Sequence, residues 1–267
     1  MKKVLFIFGF CAMTLLKAQI PNYYKSINWN QNGNELKKSL AELVSKTHKN
    51  NLTYKELWKA LAITDADPKD PKKLVMIYGF DDASKKKDEH RTRSKSNHGG
   101  QKGQWSREHV YAKSLGKPNL GQIGPGADAH MLRPADVTRN TKRSNLPFID
   151  GTGKQSKRDQ NAWYPGNEWK GDIARIIMYM YIRYGERANP NRIAKSKNTY
   201  SKDMPDVFLK WNAEDPVSKL EIQRNNYLSN LANTFGQGNR NPFIDNPYLA
   251  TKIWGGPKAM NKWKSIK

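Results

Sequence analysis

Apolar residues recur along this chain with more than one spacing, and the changes of spacing divide it into elements. Leu36, Leu40, Leu43 and Val44 follow three- and four-residue steps, and Tyr54, Leu57 and Leu61 resume them after the polar break Lys49-Asn50-Asn51. That period predicts helices within 30–61. Val75-Met76-Ile77-Tyr78 is a short apolar run between polar segments, expected as a buried strand. Residues 81–104 hold almost no apolar side chain and predict a mobile basic loop. A second loop is expected from Gly116 to Gly126, with its four glycines and two prolines. Ala129–Arg133 suits a short strand, and Pro134 the first turn of a helix through Ser144. Such a helix would carry Asp136, Asn140 and Arg143 on one face.

Downstream, residues 151–168 read as loop. The strongest core helix follows: Ile173, Ile176, Ile177, Met180, Tyr181 and Tyr184 make a wide apolar stripe that Gly185 stops. Asp172 is its expected N-cap, and Arg175 is expected off the stripe. Two more helices are expected over 205–212 and 216–235, with the tail 242–254 packing back onto the body. Neither an internal repeat nor a clear linker interrupts the chain, so the reading is one helix-rich α+β domain.

The first residues stand apart. Lys2 and Lys3, an apolar run from Val4 to Leu16, and Lys17-Ala18 have the form of a secretory signal peptide over 1–18, with cleavage after Ala18. No later run is long and apolar enough to span a bilayer, so an exported protein without a membrane anchor is expected. Cys11, the only cysteine, lies within that leader, so residues 19–267 can form neither a disulfide nor a thiolate metal site. The chain carries +23, and the leader's three lysines lower this to +20 for the remainder. A charge of one sign and this size favours polyanions: nucleic acid, acidic lipid or acidic polysaccharide.

The candidate chemistry is concentrated in Trp105-Ser106-Arg107-Glu108-His109-Val110, Asp128-Ala129-His130-Met131-Leu132-Arg133-Pro134 and Asn140-Thr141-Lys142-Arg143-Ser144-Asn145. A metal-assisted phosphodiester hydrolase needs an oxygen ligand for a hard cation, a base for water and positive charge for phosphate. His109 is the candidate base. Glu108 and Asn140 supply oxygens that suit Mg2+, with Mn2+ or Ca2+ as stand-ins, whereas His109 and His130 lack the third partner zinc would want. Arg107, Arg133 and Arg143 are candidates for stabilising phosphate charge, and Asp128 and His130 for orienting the site. Adjacent residues on a strand face opposite sides, so Glu108 and His109 can serve one site only where the strand ends or bulges. Trp105 and Trp169 are expected in the core.

Arg107-Glu108-His109-Val110, Asp128-x-His130-x-Leu132-x-Pro134 and Asn140-x-x-Arg143-Ser144-Asn145-x-Pro147-Phe148 together resemble the endonuclease I family of exported bacterial nucleases. Lys170-Gly171-Asp172-Ile173-Ala174-Arg175 and Asn241-Pro242-Phe243-Ile244-Asp245 extend the resemblance over about residues 70–256. It implies a ββα-metal (His-Me finger) core, centred on 105–148, dressed with helices. It also implies cleavage of DNA, and of RNA, with little sequence preference. By motif position Glu108 and Asn140 match the metal ligands and His109 the general base, leaving a 5′-phosphate end. Asn145 and Arg175 fall among the substrate-binding or supporting positions. Residues 110–132 contain no arginine to match the phosphate-contacting arginine of some members, which leaves Lys113, Lys117, Arg133 and Arg143 as candidates.

The reading is thus an exported, Mg2+-dependent endonuclease, a monomer with nucleic acid as substrate and no obligate protein partner. Two competitors remain: a basic protein that binds extracellular nucleic acid without cutting it, and a hydrolase of small phosphodiesters on the same scaffold.

Overall fold

The computed structural model describes residues 19–264 and Ile266; the expected leader 1–18, with Cys11 and its cleavage point, lies outside them. α1 (Gly33–Thr47) buries Leu36, Leu40 and Val44, the stripe its periodicity demands. α2 (Leu57–Thr64) follows a reciprocal pair in which Thr53 N donates to Glu56 Oε2 and Glu56 N to Thr53 Oγ1. β1 (Lys73–Val75) pairs antiparallel with β2 (Thr92–Ser94). β3 (Trp105–His109) and β4 (Leu132–Asp136) form a second antiparallel pair in which Glu108 stands opposite Arg133 and His109 opposite Leu132. α3 (Val137–Arg143) leaves β4 directly, so strand, loop, strand and helix form one continuous unit.

A third pair, β5 (Lys157–Asp159) with β6 (Ala162–Tyr164), leads into α4 (Lys170–Tyr184). The remaining helices are α5 (Asp206–Glu214), α6 (Lys219–Ser229), α7 (Pro242–Asp245) and α8 (Tyr248–Trp254). α4 is the central element, touching α1, α5 and α7 and burying every residue from Gly171 to Ile182. The tail does pack back: α8 contacts α1 and α5, and Trp263 meets Tyr24 and Trp29 edge-on or tilted at ring-centroid distances of 5.1 and 5.3 Å. Helices and small antiparallel sheets together make an α+β fold.

Several expectations are corrected. Pro134 lies inside β4 rather than opening a helix, because Asp136 accepts from Thr138 N and Arg139 N and so starts α3 one residue later. The expected strand at Ala129–Arg133 is accordingly shifted to Leu132–Asp136. The segment 81–104 is an ordered part of the fold. Asp82 Oδ1 accepts from Thr92 N, and Arg93 is buried against Asp136 at 2.5 Å. Residues 157–164 form a hairpin, its reversal made by Gln160 at φ +50°, where only loop was expected. α6 ends at Ser229, short of the expected Phe235.

Asp172 and Arg175 are corrected too. Asp172 is no cap, since α4 begins at Lys170, and Arg175 is buried rather than off the apolar stripe. Both belong to a buried charge network. Arg133 Nε donates to Asp65 Oδ1 at 2.8 Å and its Nη1 to Asp172 Oδ2 at 2.7 Å. Arg175 forms a two-pronged pair with Glu221, at 2.5 and 2.9 Å, and Arg224 bonds to Asp65 and to the carbonyls of Ala129 and Leu132. The network ties the end of α2 to β4, α4 and α6.

Truncating Arg133 leaves Asp65 and Asp172 buried with less compensation. Arg133→Ala is expected to lose about 3–5 kcal/mol in urea unfolding, whereas a loss below about 1 kcal/mol would show that the network does not hold these elements together.

Candidate active site

The β3–β4–α3 unit opens a cleft of about 360 Å³ lined by Arg107, Glu108, His109, Lys113, Asn140 and Arg143, with Ala112, Ser114, Asn119, Ser144 and Asn145 at its margins. β3 ends at His109, so the alternation that would send Glu108 and His109 to opposite faces stops there, and both reach the cleft. α3 contributes Asn140 and Arg143, three residues apart on one side of the helix.

His109 is held on two sides. Its Nε2 lies 2.9 Å from Gly126 O, and because a carbonyl only accepts, Nε2 carries the hydrogen and Nδ1 presents a lone pair. Its ring stacks on Tyr54 at 5.5 Å between centroids, inclined by 22°. Gly126 has no room for a side chain, since a Cβ there would collide with the backbone of Gly121 and Leu120. Arg107 lies between two rings, 3.6 Å from the centroid of Tyr54 and 4.1 Å from that of Trp58, and donates to Tyr54 O.

Glu108 accepts from Tyr78 Oη at 2.9 Å and has Arg143 Nε at 3.4 Å from the same Oε1. Arg143 is wholly buried; its Nη2 donates to Val110 O and its Nη1 to Ser144 O, so it clamps the end of β3 to the end of α3. Asn140 Nδ2 donates to Ser106 Oγ at 3.0 Å, which turns the amide oxygen away from that bond.

Burial acts on the two central groups in opposite directions on the pH scale. It raises the Glu108 carboxyl to about 7, against the pull of Arg143 and the Tyr78 hydroxyl. It lowers the His109 imidazole to about 4, with Lys113, Arg107 and Arg143 adding to the effect and the Gly126 bond opposing it. His109 is therefore neutral and able to accept a proton at neutral pH. The donors facing the cleft, a carboxylate and an amide oxygen, suit a hard cation that keeps several waters. Among the described residues there is no group of three or more His, Cys, Asp or Glu placed to hold a metal ion.

The structure thus brings Glu108, His109, Asn140, Arg143, Arg107 and Asn145 together and leaves four candidates elsewhere. Arg133 and Arg175 end in the buried network described above. Asp128 accepts from the hydroxyls of Tyr179 and Tyr184 at 2.6 and 2.8 Å, and His130 Nε2 meets Asn239 O at 3.1 Å. Asp128 and His130 fix the turn after Gly126 rather than the cleft itself. Of the candidates for the missing arginine, only Lys113 and Arg143 line the cleft; Lys117 and Arg133 do not. Sequence reasoning missed Tyr54, Tyr78 and Gly126, which act through a ring face, a hydroxyl and a backbone carbonyl and belong to no catalytic motif.

The family model for Endonuclease I matches residues 32–248. The chain is similar to an extracellular ribonuclease of Bacillus amyloliquefaciens, 38% identical over 248 residues that cover 89% of this chain and 79% of that protein. An extracellular ribonuclease of Bacillus subtilis (strain 168) is 37% identical, covering 89% of this chain and 80% of its own. A periplasmic deoxyribonuclease of Aeromonas hydrophila is 30% identical over 128 residues, covering 44% of this chain and 47% of its own.

The raised Glu108 carboxyl has a consequence for stability. The folded chain holds this proton more tightly than the unfolded one, so the associated stability is present at low pH and is lost as pH rises through about 7. In EDTA, Glu108→Gln is expected to melt at a higher temperature than the parent at pH 8, by on the order of 1–3 kcal/mol in free energy, with little difference near pH 4. A lower melting temperature at pH 8 would mean that attraction to Arg143 outweighs the cost of burying the charge.

Proposed function

Because the chain belongs to the endonuclease I family, we propose that it is an exported, Mg2+-dependent endonuclease that hydrolyses phosphodiester bonds in RNA and DNA with little regard to sequence. RNA stands first because the relatives matched over 89% of the chain are named ribonucleases, whereas the deoxyribonuclease is matched over 44%. Export fits the extracellular and periplasmic names of the relatives, and no helix among the described residues is long and apolar enough to cross a membrane. We read β3, β4 and α3 as a ββα-metal core within a nuclease domain over 19–267.

The observation that carries the proposal is His109: neutral, oriented by Gly126 O, and placed beside a carboxylate and an amide in one cleft. In this reading Nδ1 takes the proton of a water as that water attacks phosphorus, and Gly126 O keeps the imidazole in the required tautomer. Glu108 and Asn140 would hold one Mg2+, which when bound neutralises charge on the phosphate and the leaving 3′ oxygen. Tyr78 and Arg143 keep the Glu108 carboxylate aimed at the cleft. Lys113 and Arg107 face the cleft with positive charge for the phosphate. Arg143, fully buried and bonded to two carbonyls, positions Glu108 rather than reaching for substrate.

The test is to incubate the protein lacking residues 1–18 with single-stranded RNA and with supercoiled plasmid, with Mg2+ or with EDTA, beside His109→Ala. Metal-dependent cutting that falls by about 10²–10⁴ in the variant is expected. Intact nucleic acid under all conditions, retarded on the gel, would leave a non-catalytic binder. A diester of small size cleaved as fast as plasmid would favour the small-substrate hydrolase. The pH profile gives a second check. Glu108 must be ionised to hold a cation, so the acid limb of kcat/KM should start near 7 and move to lower pH as Mg2+ is raised. His109 itself should impose no loss until about pH 4.

A further inference from the structure

α3 has a second charged neighbourhood. Asn140 and Arg143 face the cleft, while Arg139 and Lys142, on the neighbouring side of the same helix, line a separate depression of about 510 Å³ together with Lys86, Lys157 and Arg158. A further depression of similar size, lined by Lys85, Lys86, Lys87 and Lys102, shares Lys86 and Asp88 with it. The two adjoin at Lys86 and Asp88, and their lining residues come from the 81–104 segment, α3 and the β5–β6 hairpin, so we treat them as one basic groove.

The acids in this groove are already engaged. Asp88 lies 3.1 Å from Lys142 and 3.7 Å from Arg139, Glu89 accepts from Ser84 Oγ and sits 3.8 Å from Arg139, and Asp136 is paired with Arg93. Lys85, Lys87, Lys102 and Lys157 make no ion pair among the described residues and are exposed. Trp163 borders the groove, and its buried indole N–H has no hydrogen-bond partner. Exposed cations left without acids, arranged along a depression that starts one helix side away from the cleft, match the backbone of a nucleic-acid strand.

We propose that this groove binds the phosphates of the substrate strand that flank the cleaved bond, and so supplies affinity for long strands separately from the chemistry in the cleft. The inference rests on the nuclease reading for the identity of its ligand. It explains why 81–104 and the outer strand 157–159 are built as ordered polar structure: they hold lysines in place, while β6 anchors the hairpin through buried Ala162, Trp163 and Tyr164.

The test uses the His109→Ala protein, so that substrate survives, and a labelled single-stranded RNA of about 20 nucleotides. Lys85→Glu, Lys102→Glu and Lys157→Glu are combined in one variant. A matched variant carries Lys38→Glu, Lys46→Glu and Lys49→Glu, which are exposed and line neither cleft nor groove. The groove variant is expected to raise Kd at least tenfold and to reduce the slope of log Kd against log salt by about 2, from roughly 0.7 per lost phosphate contact. The matched variant should stay within about twofold.

A milder triple to Gln at the groove positions should repeat the loss in smaller measure, which covers the case in which the Glu variant folds poorly. Equal loss in both Glu variants would reduce the effect to net charge and overturn the groove. Unchanged binding by the groove variants would do the same. Tighter binding of a heparin oligosaccharide than of RNA at the groove would assign it to a sulfated polysaccharide and also overturn the proposal. Cutting of RNA by the parent protein is measured alongside. Absence of cutting with a groove-dependent Kd would sink the nuclease reading and leave the groove, whereas cutting with a groove-independent Kd would sink only the groove.

Discussion

A guanidinium taken out of water brings its charge and its N–H donors with it, and both have to be met by the protein. Among the described residues Arg133, Arg143 and Arg175 are completely buried, and the elements around them are placed so as to meet their charge and most of their donors, with Arg133 Nη2 and Arg143 Nε left without a hydrogen bond. Arg133 draws the end of α2 and the start of α4 onto β4. Arg175 fixes α6 against α4. Arg143 joins the last residues of α3 to the chain just past β3, and so ties the helix that carries Asn140 to the strand that carries Glu108. Such pairs add modest net stability, because desolvation offsets attraction, but any arrangement that separates the partners is heavily penalised. The cleft is therefore positioned by buried charges, of which Arg143 alone of the three also lines it.

The cleft itself depends on a tension within that burial. Removing water favours the neutral form of every titratable group, so it makes His109 a free base and at the same time resists the ionised state of Glu108. The proposed base and metal ligand need the first effect and have to overcome the second. The structure moderates the second with Tyr78 and Arg143, and positive charge brought close to the carboxylate would complete the ionisation. The same low dielectric then strengthens whatever is bound there.

Much of the site was legible because it is local in sequence. Glu108, His109, Asn140 and Arg143 come from one strand and one helix separated by a single loop and strand, so residue types in order were enough to bring them together. The helices α1 and α4 were legible for a different reason, the repeat of buried apolar positions. Arg133 and Arg175 were misread because arginine has the same chemistry toward a phosphate as toward a buried carboxylate. Their actual partners, Asp65, Asp172 and Glu221, lie elsewhere in the chain or are themselves ambiguous. The strands at 92–94 and 157–159 escaped because Asp82, Arg93 and backbone pairing hold them, with few apolar side chains to mark a period. Tyr54, Tyr78 and Gly126 left no signal, since a ring face, a hydroxyl and a carbonyl acquire their roles only from the fold.

The partner that orients His109 is a peptide oxygen, and that choice distributes the tolerance of the site to change. A carboxylate in its place would titrate and would vanish with a single codon; the Gly126 carbonyl keeps its charge state at any pH and survives any exchange that leaves the backbone where it is. The vulnerability moves to the packing of the turn, where Gly121 and Leu120 press against Gly126 and exclude every side chain. A dependence on side-chain chemistry is thereby replaced by a steric one: position 126 is free of chemistry, yet has room for glycine alone.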